Sequence, residues 1–206
     1  LSKYREKEVD SKISMQKAFD APHEIYKKYS ISTSESEEDN TYLSWNVSVG
    51  TSSDVRLVTA MAILEYALLS APGAPLKQAL LDAGIGKDIL GSFESGIQQP
   101  SLSVVAKNAN VGDKEKFLAV IRKVLKEQVK NGIDKKALLA GINSSEFRFR
   151  EADYGSYPKG LMYGIDIMDS WLYGEGDPFA YVKQLDIYKE LRDAVESDYY
   201  EKLVQK

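Results

Sequence analysis

The stretch Ala71–Asn110, APGAPLKQALLDAGIGKDILGSFESGIQQPSLSVVAKNAN, decides how the rest of the chain is read. Leu76, Ala79, Leu80 and Ala83 recur at helical spacing behind Pro72 and Pro75. Gly84 and Gly86 then stop the helix, because a left-handed backbone costs nothing without a Cβ. Two strands follow, Ile89–Ser95 and Leu102–Ala106, joined by Gly96–Pro100, a connection that holds both Gly and Pro. The centre of the chain thus reads as a short helix, a glycine turn and a hairpin or meander.

Upstream of it, Tyr42–Val49 alternates cleanly. Leu43, Trp45, Val47 and Val49 share one face and Tyr42, Ser44, Asn46 and Ser48 the other, which predicts a strand covered on one side. His23–Ser32 has the β-branched and aromatic content of another strand, and the short loop between the two predicts an antiparallel pair. The loop carries Glu35, Glu37, Glu38 and Asp39 and reads as a solvated turn, since the ligand spacing and central glycine of a calcium loop are missing. Residues 1–22 read as a linker or arm leading from a preceding domain into a single domain at 23–206. Between Gly50 and Ser70 lies a helix that Thr51 or Ser52 can cap and Asp54 favours, with Val55, Val58, Met61, Ala62, Leu64 and Leu68 inward.

Downstream, Asp113 opens an amphipathic helix that ends at Asn131 and Gly132, with Ile133 placed for the apolar contact that accompanies such a stop. Asp134 caps the next helix, which runs to about Ala152, and the short connection predicts antiparallel neighbours. A glycine- and tyrosine-rich helix spans about Tyr154–Tyr173, where Gly155, Gly160 and Gly164 permit close packing at up to ~1 kcal/mol each. Gly174, Gly176, Asp177 and Pro178 form a stop and a capped start. Ile187–Val204 then reads as one docking helix with Leu191, Val195, Tyr199 and Leu203 at steps of four. Antiparallel strand pairs with helices collected after them predict an α+β fold, with a sheet of about four or more strands and helices packed on one face.

Composition narrows the partners. With 43% hydrophobic and 28% charged residues the chain has the make-up of a soluble globular protein, and no apolar run approaches the ~18 residues of a membrane span, so no membrane partner is expected. A formal charge of −4, with Lys and Arg scattered among Asp and Glu, gives no long-range attraction to phosphate, so no nucleic acid is expected either. There is no cysteine, which removes disulfides and thiolate chemistry and is compatible with a reducing compartment. The first twenty residues are polar, without an apolar leader segment. They read as the start of a piece cut from a longer protein, with any targeting signal outside it.

The residue types give catalytic chemistry little to work with. A zinc site of the H-E-x-x-H or H-x-x-E-H kind needs two histidines one turn apart, and the chain has one, His23. There is no nucleophile elbow, no G-x-G-x-x-G and no phosphate loop. Carboxylates remain. Glu94 could pair with another acid across the sheet, and Glu146, Arg148, Arg150 and Glu151 cluster on one helix, where ion pairing is the simpler reading. Tyr154, Tyr157, Tyr163 and Tyr173 are residues of a type common where a surface meets a partner, although they can equally fill a groove between helices. No catalytic, metal-binding or cofactor-binding residue is assigned.

The segments 71–88 (APGAPLKQALLDAGIGKD), 91–110 with its following helix, 137–151 (ALLAGINSSEFRFRE) and 171–182 (WLYGEGDPFAYV) carry a resemblance. In their order and spacing, over roughly residues 10 to 206, they resemble the second, inactive domain of presequence-protease-like members of the insulinase (pitrilysin) metallopeptidase family. The resemblance implies a parent of about four homologous α+β domains in two halves around a chamber, with zinc held by H-x-x-E-H and a more distant glutamate in the first domain. It implies that this segment packs against that catalytic domain and the other homologous domains, and forms part of the wall enclosing unfolded peptide substrates. No residue of the family's zinc motif has a matching position here. Two other readings stay open: a free-standing binding or assembly module of the same fold, and an enzyme that uses the carboxylates.

Overall fold

The computed structural model describes residue 3, residues 5–173 and residues 176–206. The central stretch folds as its pattern dictates. Helix α2 (Pro75–Asp82) starts with Pro75 at its first position and buries Leu76 and Leu80. Gly84 and Gly86 follow with φ of +68° and +67°. At Gly86 a side chain is impossible for a second reason, since a Cβ there would sit 2.6 Å from the Lys107 carbonyl oxygen. Strands β2 (Asp88–Glu94) and β3 (Ser101–Ala109) pair antiparallel, with Ile89 opposite Ala106 and Phe93 opposite Leu102.

Strand β1 (Thr41–Ser48) pairs antiparallel with β3 rather than with an earlier segment, giving the order β1-β3-β2. The sheet therefore has three strands among the described residues, fewer than the four or more expected. The missing one is His23–Ser32, which is not a strand. Its β-forming residues lack period-two alternation, so it has no single apolar face to bury, and Ile25, Tyr26 and Tyr29 are all exposed. It belongs instead to an extended arm tied down at intervals. The side chain of Gln99 exchanges two hydrogen bonds with the Gln16 backbone, Lys114 pairs with Glu24 at 2.7 Å, and the Tyr29 hydroxyl donates to the Asn40 carbonyl.

The alternation in β1 is correct in phase. Leu43, Trp45 and Val47 lie opposite Ala106, Val104 and Leu102 on the inner face, half-buried at Leu43 and Trp45 and exposed at Val47, while Ser44 and Asn46 share the other face with Ser103 and Val105. Helix α1 (Val55–Glu65) covers that inner face. It is capped by Asp54, whose carboxylate accepts from the Leu57 amide, and not by Thr51 or Ser52. It widens into a π turn at Tyr66–Ser70. That turn is wedged between two glycines. A Cβ on Gly91 of β2 would collide with Glu65 Oε1 and lie 2.7 Å from Leu69 Cβ, and one on Gly141 would lie 3.0 Å from Tyr66 Cδ1. The span Val55–Asp82 is long and apolar enough to cross a membrane by composition, contrary to the sequence-based expectation, but 61% of its apolar window is buried in the domain's own core.

Helix α3 (Lys114–Asn131) ends at Gly132, φ +88°, with Ile133 buried, and α4 (Lys135–Glu151) begins at once on an Asp134 cap. Despite the short connection they are not a packed pair. Helix α3 lies against α2 and α7, and α4 against α1, the π turn and α6. Helix α5 (Lys159–Trp171) starts later than expected, because Pro158 at its cap cannot sit inside a helix. Gly174 of the expected stop lies outside the described residues; Asp177 Oδ1 does accept from the Phe179 amide, ahead of a 3₁₀ turn at Ala180–Lys183. The last helix is broken in two, α6 (Leu185–Asp193) and α7 (Tyr199–Gln205), around Ser197, whose Oγ accepts from the Tyr199 amide. One core joins the sheet, α1 to α4, α6 and α7, and includes Ile63, Leu80, Val104, Phe117, Ile142 and Leu191.

Candidate functional site

The lone imidazole lies at the surface. His23 is exposed and stacks on Phe19 with ring centroids 5.3 Å apart. Among the described residues no group of three or more His, Cys, Asp or Glu is arranged to hold a metal ion. A zinc ion held by paired histidines therefore does not fit the residues of this segment.

The helical charge cluster is a brace. Glu146 accepts from Arg150 and from Arg192, each at 2.7 Å, and Arg192 also donates to Asn143 Oδ1 at 2.7 Å. These bonds, the Arg150 one foremost, hold the Glu146 carboxyl below its ordinary range against the opposing effect of burial. The group is charged, fully engaged and spans α4 to α6, a structural arrangement rather than one with a free acid or base.

Glu94 does meet other acids. A Cβ on Gly96 would lie 3.3 Å from Glu94 Oε1 and 3.5 Å from Asp169 Oδ1, so the turn after β2 is flanked by carboxylates from two elements. Burial raises Asp169 to about 6, with Asp166 and Glu94 adding repulsion, and burial raises Asp166 as well. The partners come from α5, which sequence reasoning could not place beside β2.

Helix α5 is the unusual element. It packs against the 3₁₀ turn at Ala180–Lys183, whose Tyr181 is buried with Val55 and Val58 and donates to the Ser52 carbonyl at 2.7 Å. Ser170 is the buried residue of α5, and its hydroxyl donates to the Ile167 and Pro178 carbonyls. Between the end of α4, α5 and the 3₁₀ turn lies an open cleft of about 620 Å³, lined by Phe149, Arg150, Tyr163, Ile167, Phe179, Val182 and Leu185. The tyrosines divide accordingly. Tyr163 lines the cleft and meets Tyr154 edge-on at 6.1 Å, Tyr157 is exposed, and Tyr173 is half-buried at the helix end. An apolar cleft beside exposed aromatic and aliphatic side chains suits docking of a surface, and among the described residues its lining pairs no nucleophile with a base.

Comparison with known proteins fits a domain of this kind. No family model matches the chain. It is 40% identical over all 206 of its residues to protein HypA of Clostridium perfringens, and 28% identical over 187 residues to presequence protease 1, chloroplastic/mitochondrial, of Arabidopsis thaliana. It covers 21% and 17% of those relatives, so the chain spans about a fifth of the length of the curated proteins it matches. In fold it is similar to the inactive peptidase domain of a Bordetella parapertussis protein assigned as a zinc protease, with a TM-score of 0.58 and 13% identity over 79% of this chain and 83% of that one. An α+β domain of the metallopeptidase type is thus defined by sheet, helices and sequence together. The likeness to presequence proteases in sequence and to an inactive zinc-protease domain in fold supports a domain of an insulinase/pitrilysin-family protein.

Proposed function

We propose that residues 23–206, led in by the arm 1–22, are a non-catalytic domain of a larger zinc metalloendopeptidase that degrades unfolded peptides. In this reading the segment packs against the catalytic domain and the other homologous domains of the parent, and forms part of the wall around the enclosed substrate. The observation that carries it is a peptidase-family fold with a single histidine, exposed and stacked on Phe19, so that the two-imidazole site which activates water cannot be assembled from its residues. The likeness to presequence proteases supports the peptidase parent, and the likeness to an inactive peptidase domain supports a silent member of it.

The test is metal analysis and peptide turnover on this chain and on the longer polypeptide that contains it. Zinc and hydrolysis in the long protein, with neither in the segment, is the expected result. One tightly held zinc per segment overturns the reading.

A further inference from the structure

Helix α5 turns both of its carboxylates inward and an apolar stripe outward. At 100° per residue, Met162, Tyr163, Asp166, Ile167, Asp169 and Ser170 fall on the half-buried or buried side, so the acids of the helix share it with three apolar or aromatic residues. The opposite side carries Leu161 (53% exposed), Ile165 (48%), Met168 (39%), Trp171 (61%) and Leu172 (53%), an apolar stripe about three turns long facing water. A surface helix normally does the reverse, because an apolar stripe in water forgoes its burial energy while inward carboxylates lose hydration. Gly160 and Gly164 flank the stripe one turn apart, and a Cβ at either would meet nothing within 4 Å. The close approach that these glycines permit is therefore not used by any described part of the chain.

What covers the stripe follows from its chemistry. A lipid surface selects helices with basic residues beside the apolar face, and α5 carries Asp166 and Asp169 against the single Lys159. A partner tethered in the same polypeptide acts at an effective concentration of roughly millimolar, which a second copy reaches only at comparable protein concentrations. The long remainder of the relatives supplies such a tether.

We propose that the outward stripe of α5 is the seat of an apolar helix from a neighbouring domain of the same parent polypeptide, approaching closely over Gly160 and Gly164. The inference rests on the reading that this segment is one domain of a longer peptidase. Once docked, that helix buries the five apolar side chains and leaves the acids of α5 on the inner side, where they already lie.

Hydroxyl-radical footprinting of the full-length parent polypeptide tests this, since Met168 and Trp171 are reactive reporters within the stripe. Both are expected to oxidise several-fold more slowly than free side chains, and Ile165→Glu in the parent is expected to restore their reactivity. Reactivity of both residues close to that of free side chains in the unaltered parent overturns the proposal. Protection that vanishes on dilution also overturns it, in favour of a second copy, and protection that appears only with anionic vesicles does so in favour of a membrane. Peptide hydrolysis is measured on the same samples. Its absence would remove the peptidase reading while leaving the footprint to decide the docking.

Discussion

At the scale of single residues, two positions separate what a sequence displays from what packing imposes. By sequence Ser52 is a possible helix cap, but it is completely buried and its Oγ has no hydrogen-bond partner, while Asp54 performs the capping. A buried hydroxyl without a partner bears its full desolvation cost, so Ser52→Ala is expected to leave stability unchanged or raise it by up to about 1 kcal/mol, read from the urea midpoint. Gly91 looks like an ordinary strand glycine, yet it is where the π turn lies directly on β2, against Glu65 and Leu69. Gly91→Ala is expected to cost about 1–3 kcal/mol through overpacking. Gly112→Ala, at a position where a Cβ meets nothing within 4 Å, serves as the neutral control. An equal loss from both variants would show that the contact across β2 has no special weight.

At the scale of elements, the hairpin and the amphipathic helices were legible because each carries a local signal: period two in β1, glycine at φ > 0 after α2 and α3, and Asp134 at the start of α4. The arm and α5 were not. β-branched content at His23–Ser32 has no tertiary face to cover, and the periodicity of α5 reveals a stripe without saying which side turns inward. The inward side carries a measurable consequence. Asp169 faces Asp166 on its own helix, Glu94 across from β2 and the Tyr181 phenol from the 3₁₀ turn, and burial first, then the two carboxylates, raise it to about 6. A carboxyl raised on folding keeps a proton that the unfolded chain has already released at its ordinary value of about 4. The folded state then binds more protons than the unfolded one, so stability falls as pH rises from about 4 to about 6 and levels off above that. Asp169→Asn is expected to flatten that slope and to stabilise the chain near pH 7 by about 1 kcal/mol, after discounting for partial exposure. Urea midpoints for both proteins at pH 4, 5, 6 and 7 check it, and an unchanged slope in the variant would refute it.

At the scale of the whole molecule, the sheet, its covering helices and the main core make a domain with the fold of peptidase-family domains, and among the described residues no group of three or more His, Cys, Asp or Glu is placed to hold a metal ion. The absence of a second histidine was decided by the sequence alone, because a metal site needs ligands of particular types and no folding can supply one that the chain does not contain. The sequence also determined the α+β class and the phase of β1, since alternation and glycine stops act over a few residues. Only the tertiary structure decided that β1 pairs with β3, that α3 and α4 pack on different neighbours, and that α5 turns an apolar stripe outward. Those choices depend on contacts between segments far apart in the chain, and local pattern specifies that a face is apolar without specifying what lies against it.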